Sequence, residues 1–148
     1  MTEDGILAKF EIVRRNLERL NELPQGSYAE FGADFRNLDS ALHRLQTTIQ
    51  ALIDIASYIV SVRGLGIPRT SLDTLEKLEA ASLLPAGSAR RFAPIVGFRN
   101  RVVHLYDRID PEVVYRILTE NRDDLADLGA MLVKALQPAA ATSGPRDT

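Results

Sequence analysis

Between Tyr28 and Ile59 the apolar residues fall at Tyr28, Phe31, Phe35, Leu38, Leu42, Leu45, Ile49, Leu52, Ala56 and Ile59, alternating steps of three and four without a lapse. That alternation is a helix–helix packing seam, and a strand, whose side chains alternate with period two, has no use for it. One helix from Tyr28 to Arg63 would be roughly 54 Å long, too long for a single short partner to cover. It needs several helices, or another subunit, around it. The carboxyl half also carries Ala51, Ile55, Tyr58 and Val62 off the seam. These read either as a second buried side, facing a dimer partner or a cleft, or as a wider core stripe.

Glycine and proline divide the rest of the chain into shorter pieces with the same periodicity. Ile6, Leu7, Phe10, Val13, Leu17 and Leu20 stripe a first helix from about Glu3 to Leu23, stopped by Pro24-Gln25-Gly26. After the long helix, Gly64-Leu65-Gly66-Ile67-Pro68 supplies two residues able to take positive φ and one unable to continue. Thr70-Ser71-Leu72-Asp73 reads as a capping-box variant opening a short helix from Leu72 to about Leu83. A fourth helix runs from Ser88 or Ala89 towards Leu105. A fifth opens at Asp110-Pro111, where aspartate caps and proline suits the first turn, and takes its apolar face from Val113, Val114, Ile117, Leu118, Leu125, Leu128, Met131 and Leu132. No stretch alternates convincingly with period two. The expected fold is all-α, an up-and-down bundle of four to five helices around one long helix.

The 148 residues, 45% hydrophobic and 26% charged, fit one domain, residues 1–137, followed by a flexible tail, 138–148, with nothing to bury. With no cysteine there is no disulfide, thiolate metal site or cysteine nucleophile, and a reducing cytoplasm is the natural location. No stretch approaches about 18 uninterrupted apolar residues, so no membrane span is expected. Eighteen basic and 20 acidic side chains leave a formal charge of −2, without the overall basic character of most nucleic-acid binders.

Only two histidines are present. His43 lies beside the seam with Leu42, Arg44, Arg36 and Gln50 and reads as an ordinary surface or packing residue. His104 falls in the last turn of the fourth helix, in Phe98-Arg99-Asn100-Arg101-Val102-Val103-His104-Leu105-Tyr106. The carboxyl end of a helix dipole favours a protonated imidazole, so His104 is either a structural cap or a residue able to hold and deliver a proton near neutrality. Arg99 lies five positions earlier, about 140° round an ideal helix. A shared site then requires the guanidinium arm to swing over or the last turn to unwind. Arginine offers a permanently charged fork matched to phosphate oxygens, and histidine moves protons, so the pair is a minimal kit for cleaving RNA without a metal. The spacing by itself does not identify a nuclease.

Arg99-Asn100, three residues, then His104-Leu105-Tyr106 resembles the R-x-x-x-x-H-x-Y motif of HEPN-domain toxins, specifically the HepT-like RNases of HEPN/MNT toxin–antitoxin pairs. Val96-Gly97-Phe98 before the motif, Ile109-Asp110-Pro111-Glu112-Val113 after it, and the helix through Ile49-Gln50-Ala51-Leu52-Ile53-Asp54-Ile55-Ala56 agree with that family's layout, over about residues 3 to 135. The resemblance implies a homodimer with both motifs facing one cleft, RNA as substrate, no cofactor or metal, and an MNT-type nucleotidyltransferase antitoxin as partner. Arg99 and His104 would be the catalytic pair, Asn100 would support their geometry, and Tyr106 would receive AMP from the antitoxin. Without the resemblance, Tyr106 reads as a buried ring with a bonded hydroxyl. The rival function is a non-catalytic module that binds a nucleotide or docks a nucleotidyltransferase.

Asp54 either pairs with a cleft arginine and orients it or lies on a solvated face. Arginines outnumber lysines about 15 to 3. Arg90, Arg91, Arg99, Arg101 and Arg108 gather around the fourth helix, either as a salt-bridged face or, doubled in a dimer, as a phosphate-binding groove, with Arg101 and Arg91 the candidate contacts.

Overall fold

The computed structural model of the protein describes residues 2–105 and 108–137. Among these are seven helices and no strand: α1 (Glu3–Asn21), α2 (Tyr28–Gly32), α3 (Phe35–Val62), α4 (Ser71–Ala80), α5 (Ser88–Leu105), α6 (Pro111–Glu120) and α7 (Arg122–Leu136). The all-α bundle matches the sequence reading. Its central element is α3, against which each of the other six helices packs. By length and composition α3 would pass for a membrane span, yet 56% of its most apolar window is buried inside the bundle. The proposed tail, 138–148, lies outside the described residues.

Two of the five expected helices are broken, and both breaks have local causes. The long one divides at Ala33-Asp34, where Asp34 takes an extended conformation and its carboxylate accepts the Arg36 N–H, starting a new helix. Phe35, on the expected seam, is therefore 73% exposed. The last divides at Asn121, whose backbone leaves helical geometry while its N–H still bonds the Ile117 carbonyl. A polar residue able to bond locally stops each run although the apolar periodicity continues across it.

Elsewhere the helix ends follow their sequence signals. Thr2, Ser27, Thr70 and Asp110 each accept an N–H of the first turn, and Pro111 begins α6. Asp73, three residues past the Thr70 cap, reaches back to the Arg69 N–H. After α3, Gly64 adopts φ +65°, and the N–H groups of Gly64 and Leu65 return to the carbonyls of Ser61 and Val60, the glycine-dependent Schellman closure.

Ala51 and Ile55, off the seam, are buried within the single chain, whereas Val62 is exposed. The wider core stripe accounts for the first two, with no second subunit needed. Between α1 and α3 the buried Asn16 donates to Thr47 and accepts from Arg44.

Candidate active site at the end of helix α5

Helix α5 turns Phe92, Ile95, Val96, Phe98 and Val102 into the core, with none of them more than 3% exposed. Their spacing fixes the face that each motif residue presents. Arg99 lies near the middle of this inward stripe and is half-buried, while Asn100, Arg101 and His104 are exposed. Relative to Arg99, Asn100 stands about 100° and His104 about 140° round the helix. Val103, 48% exposed, stands at about 40°, between Arg99 and both of them.

The helix stays regular through Leu105, so the last turn does not unwind to bring the pair together. Arg99 Nη1 donates to Asn100 Oδ1 at 3.3 Å, on the side of the helix that leads round to His104. Arg99 Nε is left buried with no hydrogen-bond partner. Asn100 thus takes up one donor of the Arg99 fork. His104 lies in the last helical turn, where the dipole's carboxyl end faces it. Tyr106 lies outside the described residues.

Two site expectations change. Asp54 does not hold a cleft arginine: it accepts from Lys9 Nζ of α1 at 2.7 Å and from Gln50 Nε2 at 2.7 Å. The Gln50 contact was accessible from sequence as an i,i+4 pair on one helix face; the Lys9 contact, 45 residues away, was not. Arg91 is likewise committed, bonding Asp124 at 3.0 Å and Asp127, both on α7, with its guanidinium 4.9 Å from the Phe92 ring centroid. With two carboxylates on it, Arg91 offers no net positive charge to a phosphate, and the salt-bridged-face reading holds for it. Arg101 and Arg108 are exposed, and neither has an ion-pair partner among the described residues. His43 is an exposed residue of α3.

The other end of α5 is closed from outside. Glu79 of α4 accepts the N–H groups of Gly87 at 2.7 Å and Ala89 at 2.8 Å, acting as a cap lent by a neighbouring helix. The Ala89 N–H first, and the Gly87 N–H next, hold the Glu79 carboxyl below its ordinary value. A cavity of about 980 Å³ opens beside this junction, bordered by Leu83, Leu84, Arg90 and Lys134, and it includes no motif residue. Among the described residues no group of three His, Cys, Asp or Glu is arranged to hold a metal ion.

The chain is similar to known proteins over most of its length. The family described as ribonuclease HepT-like matches residues 13–130. The mRNA nuclease HepT of Shewanella oneidensis is 30% identical over 121 residues, covering 82% of this chain and 90% of that protein. The tRNA nuclease HepT of Aphanizomenon flos-aquae is 31% identical over 114 residues, 77% of this chain and 78% of that protein. Among solved structures, the tri-AMPylated Shewanella oneidensis HEPN toxin in complex with its MNT antitoxin superposes with a TM-score of 0.76 at 27% identity, covering 90% of this chain and 98% of that one. A toxin–antitoxin structure with AMP-PNP gives a TM-score of 0.75 at 26% identity, over 89% of this chain. By the extent of the family match, which takes in Arg99 through His104, the chain belongs to the ribonuclease HepT-like family.

Proposed function

We propose that this chain is the toxin of a toxin–antitoxin pair and acts as a metal-independent endoribonuclease. The observation that carries the proposal is the bond from Arg99 Nη1 to Asn100 Oδ1, on the side of the helix that leads round to an exposed His104. A neutral His104 accepts the proton of an RNA 2′-hydroxyl, the oxygen attacks the adjacent phosphorus, and the 5′-oxygen leaves with a proton. The products are a 2′,3′-cyclic phosphate and a free 5′-hydroxyl. Arg99 binds the phosphate oxygens as charge builds on them; it does not act as the base, because a guanidinium does not deprotonate in proteins. In a homodimer two motifs face one cleft, so one histidine accepts a proton while the other donates. Arg101 adds positive charge at the rim.

Regulation belongs to the same proposal. An MNT-type nucleotidyltransferase antitoxin attaches AMP to Tyr106, two residues past His104, and the bulky anion blocks the cleft and competes for its arginines. The test compares RNA degradation and growth arrest for wild type, Arg99→Ala and His104→Ala. Loss in both variants supports the reading, and equal activity in all three ends it. Incubation with the partner transferase and ATP, followed by mass measurement of wild type and Tyr106→Phe, tests the modification: an adduct of unchanged yield on the phenylalanine variant rules out Tyr106 as the acceptor.

A further inference from the structure

Among the described residues, two buried side-chain polar atoms lack a hydrogen-bond partner: Gln50 Oε1, an acceptor, and Arg99 Nε, a donor. Buried polar groups are rarely left unpaired, so each calls for an explanation. The orientation of Gln50 is set by its neighbour. An ionised carboxylate only accepts, so the amide must turn Nε2 to Asp54, which Lys9 holds from the other side, and this leaves Oε1 as the free end.

The topology brings the two orphans to within about 5 Å of the same height. Arg63, just past the end of α3, bonds the Ala135 carbonyl near the end of α7 at 3.1 Å, and Ala135 borders the same cavity as Ala89 at the start of α5. Helix α5 therefore starts at the foot of α3. It climbs antiparallel to α3, because the helix that follows it, α6, packs on α2 before the head of α3. Arg99 lies about 15 Å above Ala89, and Gln50 about 20 Å above Arg63. Helices α3 and α5 pack on each other, and both residues are half-buried.

We propose that Gln50 is a positioning residue for Arg99: its Oε1 accepts the Arg99 Nε–H when the two Nη groups engage a phosphate, with Lys9 and Asp54 holding the amide in register. In the structure both atoms stand unpaired, and Nη1 rests on Asn100. Phosphate binding draws Nη1 away and swings Nε toward the glutamine. The chemistry is that of an arginine gripping an anion by its fork while anchored by its remaining N–H. The proposed activity requires this of Arg99, so the inference rests on that reading.

The test uses the full chain and two readouts. Nitrogen-15 NMR follows the Arg99 Nε–H resonance, assigned by its loss in Arg99→Lys, during titration with inorganic phosphate, in wild type and in Gln50→Leu. The expected result is a shifted, exchange-protected Nε–H in wild type that is absent in Gln50→Leu. RNA cleavage by Gln50→Leu is expected to lose about tenfold in kcat with KM little changed, and Gln50→Met, equally long but without the acceptor, is expected to behave the same way. If both variants retain the wild-type resonance and rate, the inference is overturned. If Arg99→Ala and wild type degrade RNA equally, the nuclease reading fails instead, and the resonance alone then decides whether Gln50 holds Arg99. Circular dichroism on each variant separates lost folding from lost positioning.

Discussion

The two ends of helix α5 are built on opposite terms. From Ser88 to Val96 its exits are closed: Glu79 caps the first amides, Arg91 is tied to two aspartates of α7, and Phe92, Ile95 and Val96 fill the core. From Arg99 to His104, three of the four residues that carry the motif's polar chemistry, Asn100, Arg101 and His104, face outward, and the fourth keeps a donor without a partner. One continuous helix thus closes its polar groups at its amino end, while its carboxyl end, still held in the core by Phe98 and Val102, carries polar groups that contribute little to holding the fold. An unpaired donor and an exposed imidazole are poor cement, but they are free to meet a ligand.

Substitutions that separate stability from activity test this division. The largest effect is expected at the anchored end, where Phe92→Ala empties a site with no solvent exposure and is expected to cost about 3–5 kcal/mol in chemical denaturation. Retention of full stability would show that the anchor lies elsewhere. At the other end, Arg99→Ala is expected to lower RNA cleavage by about 10²–10³-fold, the scale of a lost transition-state donor. Its melting temperature should hold steady or rise, because the change removes a buried donor that has no partner. A fall in stability comparable to that of Phe92→Ala would erase the distinction between the ends.

Arg91→Met returns to the anchored end with a smaller expected effect. Its ion pairs are partly solvated, so the loss should not exceed about 1 kcal/mol, and RNA cleavage should not change. Impaired cleavage in this variant would restore Arg91 to the phosphate-binding surface. The smallest effect is expected for Glu79→Gln. The Glu79 carboxyl sits below its ordinary value in the folded protein, so its contribution is present at neutral pH and fades as pH falls from the ordinary glutamate value through the depressed one. The difference in melting temperature between wild type and Glu79→Gln should therefore close on acidification. A gap that widens at low pH would contradict the capping role.

Local rules made much of this legible in the sequence. The α3 seam, the glycine closure after it, the Thr70 and Asp110 caps and the extent of α5 all depend on residues within a few positions of one another. The Arg99–His104 motif was legible for the same reason. The breaks at Asp34 and Asn121 escaped because apolar periodicity outvoted a single polar residue, although each is a type that prefers helix ends. The partners of Asp54 and Arg91 escaped for another reason: Lys9 is 45 residues from Asp54, and Asp124 is 33 from Arg91, so only the folded topology brings them together. Composition supplied opposite charges in plenty but no pairing between them.

The interval between Arg99 and His104 has a further implication for what this gene can tolerate. With four residues between them the two groups flank Val103 on a regular helix, about 140° apart. Loss of one intervening codon would stack them within about 40° on a single ridge, and gain of one would throw the imidazole round to about 240°. Every reactive group would survive either change. An in-frame slip of three nucleotides should therefore reset the angle between the two groups while leaving both in the chain.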